Sequence, residues 1–192
     1  MNKKNNIIDQ SNQEGISRIK LNDPNTYNSL SLEMLKSLIK CFNDLNNDAK
    51  TKVIVIEGLG KGFCAGHNLK EIISLKGKPE YQKLFNLCSK LMISITNNNK
   101  PVIAKVHGAA FAAGCQLVAT CDLALSTNDA IFATPGVNIG LFCSTPMVAV
   151  SRSVNKKETM KMILTGEPIT AKYAKEIGLI NDHFENSKLE EK

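Results

Sequence analysis

Two runs that read as buried strands, at residues 53–56 and 101–106, constrain this chain most. Each passes through glycine and other small residues into a segment of helical period. Val53-Ile-Val-Ile56 is unbroken and β-branched, the pattern of a strand covered on both faces. Covered strands that alternate with helices imply a layered α/β fold. The alternation runs along the whole chain. Ile16-Ser-Arg-Ile-Lys-Leu21 reads as a strand and ends at the turn signal Asn22-Asp-Pro-Asn25. Ser31 stands as an N-cap ahead of Leu35, Leu38, Ile39, Phe42 and Leu45, which follow the helical period. A short helix is expected over 68–74, and a buried helix over 115–121. A long helix is expected to carry Tyr81, Leu84, Phe85, Cys88, Leu91, Met92 and Ile95 on one face. Short strands at 123–126 and 130–133 precede helices near 144–153, 156–164 and 170–177. No linker or composition shift divides residues 15–192, which are expected to form a single domain. The polar residues 1–14 read as a disordered leader, and without arginine or an amphipathic period they make a poor transit peptide.

Composition narrows the classes further. With 43% apolar and 22% charged residues the chain can bury a core, which excludes disordered and fibrous classes. The six cysteines sit singly in apolar segments with no CxxC pair, a pattern of a reducing compartment rather than of a disulfide framework. His67, His107 and His183 show no ligand spacing with them, so no metal site is expected. The formal net charge is +6, but all of the 24 basic residues except Arg18 and Arg152 are lysine, and tryptophan is absent. Arginine forks with interleaved aromatics mark nucleic-acid readers, so no nucleic-acid partner is expected. The charge-free stretch 130–151 carries Pro135, Asn138 and Pro146, which disfavours a membrane span.

Two strand-to-helix junctions carry the chemistry: Phe63-Cys-Ala-Gly-His-Asn-Leu-Lys-Glu71 and His107-Gly-Ala-Ala-Phe-Ala-Ala-Gly-Cys-Gln-Leu117. Small residues at a helix start leave backbone N–H groups uncovered, and such fixed donors suit an anionic oxygen. Tight helix–sheet packing would produce either junction alone. Gly58-x-Gly-x-Gly62 lacks the spacing of a dinucleotide fingerprint.

Taken together, these motifs resemble the crotonase (enoyl-CoA hydratase/isomerase) superfamily from Ile16 to about Phe184. Asn22-Asp-Pro-Asn-Thr-Tyr-Asn-Ser-Leu30, Cys121-Asp122 and Leu164-Thr-Gly-Glu-Pro168 add to the match in family order. The resemblance implies a ClpP/crotonase-like spiral of sheet-and-helix repeats that binds acyl-CoA thioesters, with acyl-CoA as ligand and no separate cofactor. It assigns the oxyanion hole to the backbone amides of His67 and Ala113. Ala65, Gly66, Asn68, Leu69 and Gly114 would line the ligand's path, and Lys70 would lie near the CoA phosphates. It also implies a role in fatty-acid metabolism, a mitochondrial location with a cytoplasmic one as alternative, and a homotrimer or hexamer.

The sequence departs from the family where hydratases carry two acid–base glutamates. Those positions hold Gln116 and Gly136, neither of which titrates. Cys143, Ser144 and Thr145 occupy the loop where other members place alternative groups. The expectation is an acyl-CoA-binding protein without standard hydratase catalysis. Two alternatives stand: an active hydratase or isomerase using other residues, and a non-catalytic interaction protein. Family members continue with further helices where this sequence has the charged segment 185–192. The apolar segments 147–150 and 160–164 would then be exposed.

Overall fold

The computed structural model describes residues 6–191. Its main sheet has six strands in the order β1-β2-β3-β4-β6-β9. They are β1 (Ile8–Gln13), β2 (Ile16–Leu21), β3 (Val53–Gly58), β4 (Val102–Val106), β6 (Leu123–Thr127) and β9 (Asp182–Phe184). From β2 onward the strands pair in parallel, and β1 closes one edge as an antiparallel partner of β2. A smaller sheet joins β5 (Ala109–Phe111), β7 (Ile131–Ala133) and β8 (Ile169–Thr170). The helices are α1 (Leu32–Asn47), α2 (Leu69–Ser74), α3 (Lys78–Thr96), α4 (Ala113–Thr120), α5 (Ser144–Ser153), α6 (Lys156–Thr165) and α7 (Ala171–Glu176).

The local reasons are those the residues supply. Ser31 caps α1 by accepting a hydrogen bond from the Met34 amide, and Leu35, Leu38, Phe42 and Leu45 bury the helix's apolar stripe. In β3, Ile54 and Ile56 are fully buried, as are Val102, Ala104 and Val106 in β4. The sheet's other side carries charge. Register places Lys20, Glu57 and Lys105 side by side across β2, β3 and β4. Glu57 lies 3.0 Å from Lys105 and 3.5 Å from Lys20, so its largely buried carboxylate is compensated.

One expectation fails at the start of the described chain. Residues 8–13, read as part of a disordered leader, form β1 instead. A two-residue turn at Glu14 and Gly15, with φ of 54° and 91°, sends the chain back onto β2. Five of the six β1 residues are exposed, so the strand rests on ladder hydrogen bonds and leaves no apolar signature. Residues 1–5 lie outside the described residues. At the other end, the charged segment 185–192 is folded over 186–191. It forms a 3₁₀ turn, Asn186–Glu191, with Leu189 buried and Glu190 paired to Arg18 at 3.2 Å and to Lys105. The apolar surface expected at 147–150 and 160–164 is only partial. Val148 and Leu164 are about half exposed, whereas Ala149, Val150, Met162 and Ile163 belong to the interior. Among the described residues no helix is long and apolar enough to cross a membrane.

Candidate oxyanion site

The first junction is held from both sides. Tyr27 and Leu30 flank it on one edge, where the Ala65 amide donates to the Tyr27 carbonyl and the Leu30 amide to the Gly66 carbonyl, at 2.9 and 2.8 Å. On the other edge Cys64 exchanges hydrogen bonds with β5, donating to Ala109 and accepting from Phe111. Buried Asn28, in the left-handed region at φ 55°, fixes the preceding loop. Its side-chain amide donates to the carbonyls of Leu59 and Gly62, both at 2.9 Å. Asparagine tolerates that conformation better than most residues, the signal by which the clamp could have been found.

The second junction turns sharply at Ala112, where φ is 49° and ψ is −116°. The Ala112 amide is anchored on the Ala133 carbonyl of β7, and α4 begins at Ala113. The two junctions meet at Gly66. A Cβ there would stand 2.9 Å from the Ala112 Cβ and 3.0 Å from the Ala113 nitrogen, so glycine permits the approach. Among the described residues, no backbone carbonyl accepts from the amides of His67 or Ala113. Two donors left over at adjoining junctions make a candidate site for an anionic oxygen.

Positive φ at an alanine costs about 1–3 kcal/mol. Ala112→Gly is therefore expected to stabilise the fold, by up to about 1 kcal/mol after glycine's greater chain entropy is counted. Denaturant unfolding midpoints measure it.

In front of the donors lies a cavity of about 420 Å³, walled by Ala65, His67, Leu69, Phe85, Ala113 and the loop 135–146. That volume suits a small ligand or acyl group. Among the described residues, no carboxylate, lysine or arginine is part of its wall. The His67 ring makes a 5.5 Å edge-to-face contact with Phe85, and burial pushes its pKa below the usual histidine value. Cys143 is in the same wall, but burial raises its thiol pKa, which leaves it protonated and a poor nucleophile.

The structure thus brings together Ala65, His67, Leu69, Ala113 and Gly136. Gly66 and Gly114 form the contact between the two junctions, and the remaining residues stand apart. Asn68 caps α2, its Oδ1 accepting from the Glu71 amide at 3.2 Å. Lys70 is on the exposed side of α2, outside the cavity wall. Gln116 is buried, its Oε1 3.9 Å from the Cys88 thiol, and borders a second cavity between α3, α4 and α5. At Gly136 a Cβ would meet the Leu141 carbonyl oxygen at 2.3 Å and the Cys143 sulfur at 2.7 Å. The space a glutamate would need is filled by the chain's own loop. Sequence reasoning missed Phe85 as a cavity residue, because its helical spacing matches the buried stripe of α3.

Paired main-chain donors at two strand-to-helix junctions, set before an apolar cavity, define a class. The chain belongs to the enoyl-CoA hydratase/isomerase family, whose model matches residues 11–192. Within that family it is similar to enoyl-CoA hydratase domain-containing protein 3, mitochondrial. It is 46% identical to the Danio rerio protein over 179 residues (93% of this chain, 62% of the relative), and 47% identical to the Homo sapiens protein over 181 residues (93% and 59%). The chain therefore spans about 60% of these curated relatives' length. The solved structure of the human protein of that name superposes with a TM-score of 0.94 at 44% identity, covering 97% of this chain and 74% of that one. An enoyl-CoA hydratase from Mycobacterium smegmatis gives 0.95 at 44% identity, covering 97% and 73%. The fold is the crotonase fold.

Proposed function

We propose that this protein binds an acyl-CoA thioester, with the thioester oxygen on the amides of His67 and Ala113, and does not carry out standard hydration. The juxtaposition of two acceptor-free amides at the mouth of an apolar cavity is the observation that carries this reading. A thioester carbonyl presents one oxygen to both donors, and the acyl chain enters the apolar space beyond. Lys70, on the solvent side of the same junction, is left for the CoA phosphates. The relatives' mitochondrial designation and family name favour a place in mitochondrial fatty-acid metabolism.

Calorimetry with butyryl-CoA and with free CoA tests the reading. Butyryl-CoA is expected to bind about tenfold more tightly, because only it carries the carbonyl and the acyl chain. Equal affinity, or none for either, would contradict it.

A further inference from the structure

We propose that the His67 imidazole is the proton-transferring base of this site, removing and returning a proton at the carbon next to the thioester carbonyl. The inference rests on the acyl-CoA reading above and deepens it. It starts from an atom without a partner. His67 Nδ1 lies 3.4 Å from the Leu30 carbonyl oxygen. A carbonyl only accepts, so that nitrogen carries the hydrogen and Nε2 carries the lone pair. Nε2 is buried and has no hydrogen-bond partner among the described residues. A buried acceptor left unpaired costs free energy, and such an atom calls for an explanation. His67 is a residue of the cavity wall, and its amide is one of the two donors. A thioester seated on that amide is bound by the same residue that carries the unpaired nitrogen.

The surroundings suit a neutral base. Burial favours the uncharged imidazole, so Nε2 is free to accept at neutral pH. Neither charged-group nor hydroxyl partners shift the ring, whose pKa answers to burial and to the Leu30 carbonyl. From α2, the Glu71 carboxylate is held on the Leu32 amide and Lys70 faces solvent. From α3 the neighbour is Phe85, a partly exposed ring whose rotation would open the imidazole to a ligand. From the loop 135–146 the ionisable side chain is Cys143, whose thiol stays protonated.

The step balances without a co-reactant. The C–H bond at the α-carbon breaks, and its proton passes to Nε2. The electron pair moves into the thioester, whose oxygen becomes the oxyanion held by the amides of His67 and Ala113. The imidazolium then returns the proton to the α-carbon, or to the γ-carbon where a double bond begins between the β- and γ-carbons. One base suffices for both outcomes. Hydration needs a second group to handle water, and besides His67 the wall's ionisable side chain among the described residues is the Cys143 thiol, which stays protonated.

The test uses the 192-residue protein with 3-hexenoyl-CoA in deuterated water, following α-deuteration and double-bond migration by NMR, with binding measured separately by calorimetry. The parent is expected to catalyse exchange. His67→Gln and His67→Ala keep the amide, so both, compared with the parent at saturating ligand, are expected to exchange at least about 100-fold more slowly. Between about pH 5 and 8 the parent's rate is expected to rise and then level off, with its midpoint on the acid side of the usual histidine value. Binding by the parent without exchange would overturn the assignment while leaving the acyl-CoA reading intact. So would parent-like exchange in both variants, or a rate that does not change with pH across that range. Failure of the parent to bind would overturn the acyl-CoA reading, and this proposal with it.

Discussion

Crotonyl-CoA is expected to remain unhydrated after incubation with this protein. Each acid–base group contributes roughly 10²–10⁴-fold, so a site lacking both glutamates falls short of a two-glutamate enzyme by at least about 10⁴. The structure adds that the loss is not repaired by side-chain replacement. Gln116→Glu would place a carboxyl beside Cys88 on the second cavity, away from the oxyanion donors. Gly136→Glu would force a Cβ against the Leu141 carbonyl at 2.3 Å, so the loop 135–146 would have to be rebuilt. The double variant is accordingly expected to hydrate no faster than the parent. Loss of the conjugated enone absorbance reports the reaction. Efficient hydration by the parent, or rescue by the double variant, would show that the geometry of this loop has been misread.

Gly114→Ala is expected to be the most damaging single methyl in the molecule's site. Its Cβ would stand 2.1 Å from the Cys64 carbonyl oxygen, 2.8 Å from the carbonyl carbon and 3.0 Å from the Cys64 Cβ. Two of those three atoms are main-chain, so no rotamer relieves the contact. Either α4 or the segment around Cys64 must move. Overpacking of this kind costs about 1–3 kcal/mol, and the upper end applies where backbone is the obstacle. The displaced elements are those that carry the Ala113 and His67 amides, so acyl-CoA binding is expected to be lost as well. Unfolding midpoints and calorimetry with butyryl-CoA measure the two effects. Parent-like stability and affinity in the variant would refute the tight apposition of the two junctions.

How much was legible in the sequence follows from which forces each segment uses. The parallel strands at Val53 and Val102 and the helices after Ser31, Tyr81 and Ser144 announce themselves, because burial and capping write a local pattern. The edge strand β1 writes none, being exposed and held by the ladder to β2. The three residues of β5 read as part of a small-residue run, since their pairing with β7 at Ala109↔Ile131 joins segments twenty-odd residues apart. β9 is similarly short and half-buried. At the site, the two glycine junctions are visible because close approach demands small residues at Gly66 and Gly114. Side-chain direction is not visible. Nothing in the spacing separates Gln116, which faces a second cavity, from Ala113 three residues earlier, which borders the first. The bare Nε2 of His67 is equally hidden, because it depends on the Leu30 carbonyl, 37 positions away in the chain.

The central claim is that the amides of His67 and Ala113 hold one thioester oxygen, and amide-resolved NMR tests it most directly. Titration of the isotope-labelled protein with butyryl-CoA is expected to move these two amide protons downfield by more than any others, as hydrogen bonds form where none existed. Free CoA, which lacks the carbonyl, is expected to leave them in place. If butyryl-CoA binds while both resonances stay where they are, the oxygen is held elsewhere and the account of the site is wrong.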